Sequence, residues 1–139
     1  MTRIPALRIV LAMICIYHVG LGLAAFVSDA MAVTLARSIF GLNLEMTPQL
    51  SYIVQLLGVY AIVFGLITGL MAADPLRYPV MLNVIVVLYV LRVVNKFLSI
   101  GEFEQAFGAS MTRVWTDVVL LAAFGAAVLL LQPRRQAAA

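Results

Sequence analysis

The chain holds one cysteine and one histidine, Cys15 and His18, among 139 residues. A single cysteine has no partner for an intrachain disulfide. Structural zinc takes four protein ligands and a bis-histidine haem takes two histidines, so neither site fits within one copy. Charge is scarce as well: 11% of residues are Asp, Glu, Lys or Arg, against roughly 25% in soluble globular domains. No complete motif for catalysis, metal binding or nucleotide binding occurs along the sequence. Neither a metal nor any other cofactor is expected, and an enzymatic role is not the leading expectation.

What the sequence has in excess is apolar surface. Hydrophobic residues make up 65% of the chain and the mean hydropathy is +1.11. A soluble domain this small must show water a large share of its residues, and too few polar ones are available to cover it. Lipid is the solvent that fits. The net charge of +3 and pI near 9.4 do not signal nucleic acid, because the cations do not form a contiguous face. Arg3 and Arg8 flank the first apolar run and Arg134 and Arg135 follow the last, as membrane segments are flanked.

Four apolar stretches, residues 7–27, 50–73, 78–100 and 114–131, each approach the roughly 20 residues that span hydrocarbon as a helix. With no water in the bilayer core, a helix satisfies its own backbone groups, and no segment alternates as a membrane β-strand would. The predicted fold is therefore all-α, a four-transmembrane-helix antiparallel bundle forming one integral membrane domain over 1–139. Ser28-Asp29-Ala30 loosely fits a leader-cleavage site. The apolar run before it exceeds the roughly 7–15 residues of a leader, so an uncleaved first span is expected.

Two connections carry their own pattern. Between the first two spans, Ala32, Leu35, Ala36, Ile39, Phe40 and Leu42 form an apolar face opposite Thr34, Arg37 and Ser38, which predicts a short interfacial helix. After the third span, Ser99 to Gly108 is a second amphipathic stretch, with Phe103 and Phe107 four apart. Both are expected on one membrane face. The Ala73–Pro79 connection is a tight hairpin whose prolines favour helix starts. Arg3, Arg8, Arg77, Arg134 and Arg135 on one side outnumber Arg37, Lys96 and Arg113 on the other, so both termini are expected to be cytoplasmic, in a bacterial inner membrane.

Ionisable groups inside a membrane are costly, and each is a candidate functional residue. The candidates are His18, Arg92 and Asp117, with Gln55 and Asn95 as neutral companions. Helix rise places Gln55, Arg92, Asn95 and Asp117 in the outer half of the bilayer and His18 nearer its centre. Arg92, Asn95 and Lys96 share one helix face. Arg92 is expected to pair with Asp117, while Lys96 is expected to snorkel to the outer interface. His18 reads first as a neutral core histidine and second as a proton relay. Two readings of the cluster stay open: a clamp that fixes helix packing, and a ligand pocket. Gln55, Gly58, Ile62, Gly65 and Gly69 mark one side of the second span, where small residues permit close approach, and His18, Gly22 and Ala25 mark an interior face of the first. Trp115 and Tyr52 read as outer-interface aromatics and Tyr78 as an inner one. The scattered methionines read as packing residues.

Gly20-Leu21-Gly22 late in the first span, Tyr60 and Gly65 in the second, the Ala73-Asp74-Pro75 hairpin and a lone Arg92 late in the third resemble the small four-helix membrane proteins of the DoxX-like and BphX-like group. That resemblance covers most of the chain and implies a four-helix membrane fold. Some members of the group are similar to subunits linked with quinone or sulfur oxidoreductases, which implies at most an accessory role.

The leading functional expectation is a non-enzymatic accessory subunit or binding module whose outer-half polar cluster holds an anionic or polar head group. The rival is a membrane enzyme or quinone-linked oxidoreductase component using His18, Arg92 and Asp117. A small transporter comes third, because four helices without evident inverted repeats leave little room for alternating access. The expected partners are membrane lipid, other membrane subunits or further copies of the chain, and a lipid or quinone head group. Nucleic acid is not among them.

Overall fold

The computed structural model describes residues 3–108 and 110–132, with every side chain among them except that of Phe103. Arg134 and Arg135, expected at the inner flank, and the Phe103 ring, expected beside Phe107, lie outside the described residues. All regular structure in the described residues is helical: α1 (Arg3–Val27), α2 (Asp29–Leu35), a wider π-type turn (Ala36–Phe40), α3 (Pro48–Ala73), α4 (Pro79–Leu98), α5 (Ile100–Phe107) and α6 (Met111–Leu131). The four long helices, α1, α3, α4 and α6, are each apolar and long enough to cross a membrane. These are the proportions of a small multi-pass membrane protein.

Local chemistry explains the ends. Thr47 accepts a hydrogen bond from the Leu50 amide at 3.2 Å, and Pro48 occupies the first turn where its missing donor costs nothing. Helix α3 therefore starts two residues before the expected apolar boundary. Pro79 opens α4 in the same way. The π-type turn ends at Gly41, whose φ of +69° is in the left-handed region. There the Leu42 amide donates to Ala36 O at 3.0 Å and the Gly41 amide to Arg37 O at 3.1 Å, closing the open carbonyls. The expected interfacial helix is thus a straight turn, a widened turn and a glycine stop.

Helix α3 packs on α1, α4 packs on α6, and α1 also meets α6. The α1–α3 contact is close because glycine removes the side chains between the backbones. A Cβ on Gly58 would lie 2.8 Å from Gly22 O, and one on Gly65 would lie 2.6 Å from Val19 Cγ2. In lipid, association of this kind is carried by close van der Waals packing rather than by hydrophobic burial.

All four long helices feed one apolar core, including Leu11 and Ile14 from α1, Met71 from α3, Ile85 and Tyr89 from α4, and Leu121 and Val128 from α6. The outward faces are equally apolar: Ile16, Leu70, Leu98 and Leu130 are each 70% or more exposed. Outward faces of this kind suit a hydrocarbon surround. The two amphipathic stretches meet at one end. The Asn43 amide donates to Phe107 O at 3.0 Å, and Arg113 Nη1 donates to Ser38 O at 2.6 Å.

Candidate functional site

His18 is buried in the middle of α1, edge-on to the rings of Tyr17, Phe64 and Tyr89. Its Nδ1 lies 2.9 Å from Ile14 O. A carbonyl only accepts, so Nδ1 carries the hydrogen. Its Nε2 lies 3.4 Å from Arg92 Nη1. A guanidinium only donates, so Nε2 is the bare, accepting nitrogen and the imidazole is neutral. The helix α1 backbone thereby sets the ring and the ring holds one arm of Arg92, at the long end of hydrogen-bond range. The Tyr17 hydroxyl also faces the guanidinium.

One turn further along α4, Lys96 Nζ lies 3.0 Å from Asp117 Oδ2, with the two side chains 17% and 8% exposed. This corrects two expectations. Asp117 pairs with Lys96 rather than with Arg92, and Lys96 is held in an interior ion pair instead of snorkelling outward. Arg92 and Lys96 share a face of α4, and the packing of α4 on α6 sets Asp117 level with the second of them. The contact matches charge without the angular alignment of a hydrogen bond.

Gln55 also departs from the expected cluster. Its Nε2 donates to Ser51 Oγ at 3.3 Å, and Ser51 Oγ shares its hydrogen between the two carboxylate oxygens of Asp29 at 2.8 and 2.9 Å. Because α3 packs against α1, the α3 end that carries Ser51 and Gln55 meets the start of α2, not the Arg92 face of α4. The Asp29–Ser51–Gln55 group lines a separate cavity of about 430 Å³ with Thr47 and Tyr52. Ser51 and Gln55 are four apart, and Asp29 opens α2 just after the preceding span. That spacing is the signal by which the group was detectable.

A larger cavity of about 670 Å³ lies between α3 and α4 over α1. Its polar lining is Tyr17, His18, Arg92, Asn95 and Lys96. Leu57 on α3 and Leu91 on α4, each 60% exposed, stand on its two sides. Each of these helices packs chiefly on a different neighbour, so the cavity opens sideways between them. The chain matches no family model, no curated protein and no solved structure. Function must therefore be argued from the site itself.

Among the described residues, Arg92 and Lys96 on the cavity wall carry two positive charges, the neutral His18 none, and Asp117 behind Lys96 one negative, a net charge of +1. The Tyr89 hydroxyl is buried with no hydrogen-bond partner among the described residues, and the buried Tyr17 hydroxyl faces Arg92. Tyr17 was not recognised from sequence, although it adjoins His18. Among the described residues no three His, Cys, Asp or Glu side chains gather as a metal site would require.

Proposed function

We propose that this chain is a small protein of the bacterial inner membrane, an antiparallel bundle of four spanning helices with cytoplasmic termini. It works without catalysis, as a binding module for a membrane amphiphile whose polar head group sits among His18, Arg92 and Asn95. The DoxX-like and BphX-like resemblance belongs to the same proposal, and so does the role of accessory subunit that would present such a ligand to a larger complex. The observation that carries the reading is the cavity of about 670 Å³ that combines a polar wall with apolar flanks. Its volume lies within the about 300–1,000 Å³ usual for small-molecule sites.

The shape of the lining favours an amphiphile over a water-soluble ligand. Polar groups on α1 and α4 supply head-group donors, while Leu57, Leu88 and Leu91 offer an apolar path toward the space between α3 and α4. The test is mass spectrometry of the intact protein released from detergent micelles. A retained amphiphile at one copy per chain, lost on Arg92→Gln, is the expected result. A protein that carries no small molecule, even after incubation with membrane lipid extract, contradicts the proposal.

A further inference from the structure

The charge of the pocket narrows the ligand. Two cations and one carboxylate lie together, and the carboxylate is committed to Lys96 at 3.0 Å. Among the described residues Arg92 has no carboxylate partner; its neighbours are the neutral His18 ring at 3.4 Å and the Tyr17 hydroxyl. An uncompensated guanidinium at this depth is costly, since an unpaired charge in hydrocarbon lacks both water and a counter-ion.

We infer that the cavity takes a single-chain amphiphile with an anionic oxygen head, a carboxylate or a phosphate monoester, gripped by Arg92. The planar guanidinium suits this head because its fork of N–H donors matches two anionic oxygens side by side. His18 occupies one donor of that fork and so sets its orientation, making it a positioning residue. The Tyr17 hydroxyl, on the same wall and facing Arg92, can accept from the guanidinium and keeps its own hydrogen as a further donor. A neutral quinone or alcohol head would accept the same hydrogen bonds but leave the net +1 in place. The chain of the ligand leaves between Leu57 and Leu91, where α3 and α4 stand apart.

This inference rests on the amphiphile-binding proposal, and the experiment separates the two. The full-length protein in an uncharged maltoside detergent is titrated calorimetrically with oleate, dodecyl phosphate, oleyl alcohol and inorganic phosphate. Oleate and dodecyl phosphate are expected to bind saturably, at least tenfold tighter than oleyl alcohol, with no saturable binding of inorganic phosphate. Arg92→Gln should bring oleate down to the affinity of oleyl alcohol. Should that variant fail to fold, the wild-type comparison of oleate with oleyl alcohol decides alone. Equal affinity for the two overturns the anionic head while leaving amphiphile binding intact. Binding of inorganic phosphate as tight as dodecyl phosphate overturns the requirement for a chain. Absence of binding by every amphiphile overturns the inference and the proposed function together.

Discussion

Replacing Asp117 by Asn removes the carboxylate 3.0 Å from Lys96 and with it one negative charge beside the two cations on one face of α4. At the observed 3.0 Å and an effective dielectric of about 20, the Coulomb attraction is about 5–6 kcal/mol. Desolvation takes back part of this, and truncating one member of a buried pair costs about 3–5 kcal/mol in soluble proteins. Coupling between polar groups in membrane proteins runs lower, averaging about 0.6 kcal/mol. Asp117→Asn is therefore expected to destabilise by about 2–3 kcal/mol, between these bounds. The double variant Lys96→Met with Asp117→Leu removes both charges and should come back to within about 1 kcal/mol of the parent. The assay is unfolding in mixed micelles of rising SDS fraction, followed by circular dichroism and assembled into double-mutant cycles. Lys96 and Asp117 should couple by more than about 1 kcal/mol, and Arg92 and Asp117 by less than about 0.5. The reverse ranking, with Arg92 coupled and Lys96 not, would refute the assignment of the pair.

Gly65→Ala sets a Cβ 2.6 Å from Val19 Cγ2 and 2.9 Å from Val19 N; it should cost about 1–3 kcal/mol by overpacking. Gly20→Ala meets nothing within 4 Å and should be neutral or stabilise by up to about 1 kcal/mol, so equal unfolding midpoints for the two variants would contradict the α1–α3 contact. Tyr89→Phe removes a buried hydroxyl without a partner among the described residues and should leave the ligand-free unfolding midpoint unchanged or raise it; a loss above about 1 kcal/mol would mean that the hydroxyl is satisfied. Arg113→Ala breaks the bond to Ser38 O and should speed amide exchange at Gly41 and Leu42 while sparing the long helices; unchanged exchange there would show that the tie does not hold the π-type turn.

The four long helices are readable from composition because a span must carry about 20 apolar residues without interruption, and residues 50–73 differ from the observed Pro48–Ala73 by one capping turn. The cap is legible as well, since Thr47-Pro48 opens the second helix through a side-chain acceptor and a proline suited to the first turn, although neither adds to the hydropathy of the run. The partner of Asp117 was beyond reach. Arg92 and Lys96 lie on the same face about 6 Å apart along the axis, and sequence does not fix the relative height of two helices to within one turn. Gln55 was grouped by its depth and by its place on the glycine face of the second span, whereas its neighbours depend on which helix that face meets. The α1–α3 packing, set by Gly22, Gly58 and Gly65, turns the Ser51–Gln55 end toward Asp29. The small residues that govern this were legible; the rotation they impose was not.

Spin labels placed singly at Ile16, Val63, Val87 and Val119, in a Cys15→Ser background and in lipid nanodiscs, test the membrane-spanning arrangement most directly. These positions are outward-facing and exposed, one near the middle of each long helix. Lipid-soluble oxygen should relax all four labels while a water-soluble nickel chelate reaches none of them. Relaxation of the mid-helix labels by the chelate, to the level seen at Glu102 or Glu104, would contradict four helices crossing the bilayer.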